Sequence, residues 1–142
     1  MPVSFGIEEA RTYLDAKPSW IILTTIGRDG YPHSVPIGYF RLGDEVYIGC
    51  RTGTQKLKNI ERNPKVSLLV QSGSSMQDIK GLMIRGDATI FAEPDDLLRL
   101  GREAARVRGV PEDELPTEGR PGAAYIRVPL ANITTWDYSR QA

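Results

Sequence analysis

One cysteine and one histidine in 142 residues remove most side-chain catalysis at the outset. Cys50 forms no disulfide within the chain and completes no all-cysteine metal site. His33 is the single imidazole, and no serine or cysteine has a setting like a nucleophile elbow. The acidic pairs Glu8-Glu9 and Asp95-Asp96 fall at predicted helix N-termini, where the helix dipole favours negative charge without any ligand. Net charge is lacking too, since 18 basic residues balance 18 acidic ones. No field therefore draws the chain to nucleic acid or to an anionic membrane. No apolar run approaches the roughly 20 residues that span a bilayer, and the N-terminus lacks the basic and apolar segments of a signal peptide. These absences predict a soluble, cytoplasmic protein, and the length suits one domain over residues 1–142.

What is present is a succession of short strands. Ser4 is placed to cap a first helix with Ile7, Ala10 and Leu14 on one face, stopped by Pro18. Trp20 to Ile26 is apolar throughout, as a strand covered on both faces would be. Gly27-Arg28-Asp29-Gly30 is a hairpin signal, and Tyr31 to Phe40 follows as a strand whose prolines, Pro32 and Pro36, suit a sheet edge. Glu45 to Cys50 makes a third strand, Thr54 to Asn63 a helix, Val66 to Val70 a buried strand, and Lys80 to Phe91 a long one interrupted at Gly81 and Gly86. A second long helix opens at Asp95 with Leu97, Leu100, Ala104 and Val107 inward, and Gly109 ends it. Residues 111–122 read as an exposed loop, and the last strand runs from Ala124, across a break at Pro129, to Trp136. About six strands and two or three helices, with the first three strands in a meander, predict a mainly β fold: a small antiparallel barrel with flanking helices.

One turn stands out. Cys50-Arg51-Thr52-Gly53-Thr54-Gln55-Lys56 leaves a strand and enters a helix, offering hydroxyls, backbone N–H groups and two cations together. It is not a Walker loop. Lysine and arginine are unfavourable at the positive end of a helix dipole, which argues for an anion between them, against the plainer reading of a solvated helix start. With no evident acid, base or nucleophile, an organic redox cofactor is the expected source of reactivity.

Thr24-Thr25-Ile26-Gly27-Arg28-Asp29-Gly30-Tyr31-Pro32-His33-Ser34-Val35-Pro36 resembles the opening of the pyridoxamine 5′-phosphate oxidase-like superfamily: a strand, an Asp-Gly hairpin, then Pro-x-x-x-Pro. Thr54 to Leu68, with its Thr-x-Lys turn and Asn63-Pro64-Lys65-Val66 strand entry, resembles that family's second block, and Gly86-Asp87-Ala88 its next segment. The resemblance spans most of Trp20 to Phe91. It implies a six-stranded antiparallel split β-barrel that forms a homodimer, with cofactor in grooves at the subunit interface. By the same resemblance, Lys56 holds the cofactor phosphate, with Gln55 where many relatives carry arginine. Arg51, Thr52 and Thr54 support it. Backbone and side chains of Val35, Pro36, Ile37 and Gly38 line the ring, with Gly49 and Cys50 beneath. Trp136 reaches the cleft from the partner subunit. Three features of pyridoxamine phosphate oxidases are missing: an arginine near Val35, a glutamine near Gly81 and a basic tail. The likeness therefore points to the flavin/deazaflavin oxidoreductase branch, using FMN or coenzyme F-420 to pass hydride to or from a small organic substrate. Tyr39, Tyr47 and Trp136 suit either stacking on that ligand or packing in the barrel and interface. The alternative is a non-catalytic carrier of flavin, deazaflavin or haem, with His33 as the axial ligand available to haem.

Overall fold

The computed structural model describes residues 2–141. In chain order the elements are β1 (Pro2–Val3), α1 (Ile7–Asp15), β2 (Ile21–Ile26), β3 (Pro32–Ile37), β4 (Phe40–Leu42) and β5 (Glu45–Arg51). Then come α2 (Gln55–Arg62), β6 (Lys65–Ser72), β7 (Lys80–Asp87), β8 (Thr89–Phe91), α3 (Pro94–Val107), β9 (Ala123–Pro129) and β10 (Asn132–Gln141). A short 3-10 turn, Glu112–Glu114, lies between α3 and β9.

The mainly β class with flanking helices holds, with ten strands described where about six were expected, and they form two sheets that do not close into one barrel. The described strands form a 6-stranded sheet, ordered β1-β10-β7-β6-β2-β3, and a 4-stranded sheet, ordered β4-β5-β9-β8. Every pairing is antiparallel, and no ladder joins one sheet to the other. The chain passes between sheets where ladder hydrogen bonding lapses, at Gly38-Tyr39 and at Ala88. Two strands read as single therefore split: Tyr31 to Phe40 into β3 and β4, and Lys80 to Phe91 into β7 and β8. The C-terminal strand divides likewise into β9 and β10, which belong to different sheets.

The core lies between the sheets. Across the larger one, Ile133, Ile84, Leu68, Leu23 and Val35 share one in-register row on the inner face, facing Val46, Ile48, Ile126 and Val128 of the smaller within one cluster. Each such side chain contributes about 1.5–3 kcal/mol when removed from water. β2 is covered on one face only: Ile21, Leu23 and Thr25 are buried while Ile22, Thr24 and Ile26 are half-buried. The outer row Thr134, Met83, Leu69, Ile22 and Pro36 runs across five strands.

Three further expectations are corrected. Gly6, not Ser4, occupies the N-cap of α1. In α3 the buried positions are Leu97, Leu100 and Ala105, whereas Val107 is 47% exposed. Leu115, in the supposed exposed loop, is buried. The termini are tied down by charge: Glu9 on α1 accepts from Lys80 at 2.9 Å and from Arg140 at 2.8 Å, and Arg140 also donates to Asp137 at 2.9 Å. No helix among the described residues is long and apolar enough to cross a membrane.

Candidate functional site

The turn after β5 is built to leave a helix end open. Gly53 takes φ +78, the left-handed conformation that glycine adopts without strain. Thr54 is the N-cap of α2, with extended backbone, yet its side chain makes no cap hydrogen bond. Its hydroxyl instead donates back to the Arg51 carbonyl at 3.0 Å, closing the turn. The first-turn N–H groups of α2 thus face outward without the side-chain acceptor that normally satisfies them. No acidic residue occupies that turn, and Lys56 does. A cation at the positive end of a helix costs about 0.3–1 kcal/mol. Among the described residues, neither Arg51 nor Lys56 is in an ion pair. Hydrogen-bond donors, dipole and charge all favour an anion here.

Two neighbours reshape the turn. Thr52 donates its N–H to the Gly122 carbonyl at 2.9 Å, and Arg51 pairs with Ala123 across β5 and β9. This brings Arg120 alongside Arg51 in a cleft of about 240 Å³. Nothing in the local sequence around Arg120 marks it; only the long-range strand pairing does. Gln55 turns away from the open helix end, its amide donating to Asn59 Oδ1 at 2.8 Å. Asn59, wholly buried, donates to Thr25 Oγ1 at 3.0 Å and accepts from Arg62 at 3.1 Å. Gln55 therefore supports the helix from behind rather than reaching into the turn.

The β3 segment is an edge strand of the larger sheet. Val35 and Ile37 are half-buried, pack on the core and pair with Leu23 and Ile21 of β2, which leaves the main chain of Ser34 and Pro36 on the strand's open edge. Pro36 points outward and is exposed, as is Gly38. Gly49, on β5, sits across from Tyr125, and a Cβ there would lie 3.2 Å from Tyr125 Cε1. Gly38 and Gly49 line one cleft of about 530 Å³. Cys50 packs against the core, and burial pushes its thiol above the ordinary value while Lys56 opposes the shift. That raised pKa suits a packing residue, not a nucleophile. His33, on β3, has its Nδ1 buried without a partner.

The structure thus brings Arg51, Thr52, Thr54 and Lys56 together at one turn, with the Gln55 side chain turned to Asn59 and with Gly49 and Cys50 leading in along β5. Trp136 stands apart, on β10 in register with Gly81, on the larger sheet's outer face. Among the described residues no cluster of His, Cys, Asp and Glu is arranged to hold a metal ion.

These features belong to a known class. The chain is a member of the pyridoxamine 5′-phosphate oxidase family, whose sequence model matches residues 7–137. No curated protein matches it by sequence. Among solved structures, a conserved hypothetical protein from Mycobacterium tuberculosis superposes with a TM-score of 0.80 at 23% identity, covering 96% of this chain and 87% of that one. An F420 reductase superposes with a TM-score of 0.65 at 23% identity, covering 93% and 98%. The FAD and heme binding protein from Mycobacterium smegmatis gives 0.75 at 23%, covering 98% and 76%. At these identities the likeness establishes the fold.

Proposed function

We propose that this protein is a cytoplasmic oxidoreductase that binds FMN or the deazaflavin coenzyme F-420 and acts on a small organic substrate. The observation that carries the reading is the uncapped start of α2, with Arg51 and Lys56 beside it and glycines at Gly38 and Gly49 along the adjoining cleft. The family and an F420 reductase among the structural neighbours support it.

The residues fit such a cofactor. Lys56 and the open N–H groups of α2 would hold the phosphate, with Arg51, Thr52 and Thr54 around it. Gly38 carries no side chain to bar a flat ring, and the open edge of β3 offers the main chain of Ser34 and Pro36 beside it. When bound, the ring system supplies hydride transfer, a chemistry that asks little of side chains beyond positioning and electrostatics. This suits a site where Cys50 faces the core.

A homodimer completes the proposal. The outer row of the larger sheet, with Met83, Leu69 and Ile22 at its centre, is apolar and only half-buried in one chain. A second copy laid on it would bury that row and bring Trp136 of the partner toward the cofactor cleft.

Titrating the purified protein separately with FMN and F-420, followed by absorbance, tests the reading. Saturable binding of either at one per chain is expected, and binding of neither overturns it. A second reading, a haem carrier, rests on the unpartnered Nδ1 of His33 and predicts a Soret band on haem addition that is lost in His33→Ala.

A further inference from the structure

Helices α1 and α3 end at the same cleft, each on a cation. α1 is followed by Lys17, whose φ of +53 is the single left-handed non-glycine conformation among the described residues. Glycine is the usual occupant of such a position after a helix and avoids the steric cost; what lysine adds is its side chain. Although Lys17 is exposed as a whole, its ammonium stands 4.0 Å from the Tyr39 ring centroid. Lost hydration there pushes its pKa down, against the pull of Asp15. Asp15 itself is engaged by Arg41, which donates to its two carboxylate oxygens at 2.9 and 2.6 Å. α3 is closed by Arg108 as its C-cap.

Lys17 and Arg108 line the cleft of about 530 Å³ that contains Gly38, Gly49 and Tyr125, and no carboxylate lines it. The two helix C-termini offset the cations only in part. Two unit charges against two ends of roughly half a negative charge each leave a net charge of about +1. The cleft continues past Gly49 and Tyr125 to Arg51 and Arg120. Burial raises the Tyr125 hydroxyl's pKa, while Arg108 and Arg120 act to lower it. The result is a cleft with cations at both ends, in which the Tyr125 ring lies over Gly49.

We propose that this cleft is a subsite for a small planar organic carboxylate, its charge held between Lys17 and Arg108 and its plane against Tyr125. The inference rests on the proposed function in that Gly38 and Gly49 are shared with the cofactor cleft, so the anion would lie beside the ring as substrate. A point charge and a planar fork suit a carboxylate, and the volume suits a ligand of one ring and a short conjugated arm.

The probe is cinnamate, with cinnamamide as its neutral counterpart, added to the full-length cofactor-free protein and followed by amide chemical shifts. Cinnamate is expected to saturate with shifts at Gly38, Gly49 and Tyr125, and cinnamamide to bind at least tenfold more weakly. Lys17→Met and Arg108→Met should each weaken cinnamate about tenfold, with unfolding midpoints near that of the parent. Equal affinity for acid and amide, no loss in the double variant, or shifts confined to residues 51–56 would overturn the assignment. Because no cofactor is present, a failed cofactor titration and a failed cinnamate titration are separate results: the first removes the oxidoreductase reading, the second the carboxylate subsite.

Discussion

The indole of Trp136 lies across the backbone of Gly81, its in-register neighbour on β7, so closely that a Cβ at that glycine would stand 2.5 Å from Trp136 Cζ2. Gly81→Ala must therefore displace the ring. We expect a change in Trp136 emission, read in a Trp20→Phe background, and a loss of about 1–3 kcal/mol in urea unfolding. Unchanged emission together with an unchanged midpoint would show that the two residues do not touch.

Lys56→Ala removes one charge from the open end of α2. Loss of a charge-assisted bond to phosphate should weaken FMN or F-420 binding by about 1.5–3 kcal/mol, roughly ten- to hundredfold. Gln55→Ala, whose amide is turned toward Asn59, should change affinity far less. Equal losses in the two variants would mean that the phosphate lies elsewhere.

Asn59 and Thr25 are both fully buried and bonded to each other. Asn59→Leu leaves the Thr25 hydroxyl without that donor and should cost about 1–3 kcal/mol. The double change Asn59→Leu, Thr25→Val should recover part of that loss, because it removes both polar groups at once. Strict additivity in the four-member cycle would contradict a direct bond.

Leu69→Lys places a charge at the centre of the larger sheet's outer face. If a second copy covers that face, sedimentation will show a dimer for the parent and a monomer for the variant, with the monomer's unfolding transition still cooperative. A monomeric parent removes the dimer proposal.

Acid should loosen the tie between α1 and the C-terminal strand. The Ser139 hydroxyl, ahead of its backbone N–H and Arg140, holds Asp137 below the ordinary value of 3.8; Lys80, then Arg140, holds Glu9 below 4.5. Groups with lowered folded-state pKa values add stability that is complete above their ordinary values and is lost as the pH falls through the lowered ones. Unfolding free energy should thus decline below about pH 4.5. Asp137→Asn should be less stable at neutral pH and show a shallower acid limb. An acid limb parallel to the parent's would exclude Asp137 from the effect.

Local signals in the chain were read well where local physics decides. Asp29-Gly30 forms its hairpin with Gly30 at φ +86, α2 begins after Thr54 and ends before Asn63, and Pro94 starts α3 one residue ahead of Asp95. The division into two sheets was not legible, because it depends on which strands pair; Gly38 and Gly86 mark breaks without saying that the chain changes sheets there. β2 looked doubly covered because Ile22 and Ile26 are as apolar as Ile21 and Leu23; hydropathy does not say which face is packed. At the site, the Arg51 to Lys56 turn was visible as a cluster. Arg120 was not, since residues 51 and 120 become neighbours only through the pairing of β5 with β9.

The packing of Val35 and Ile37 on the core has a corollary for recognition. Substitution at either position repacks the core behind β3 while leaving the main chain of Ser34 and Pro36 on the strand's open edge. If the cofactor lies along that edge as proposed, its recognition there rests on main chain, and changes at Val35 and Ile37 alter packing without altering the groups it meets.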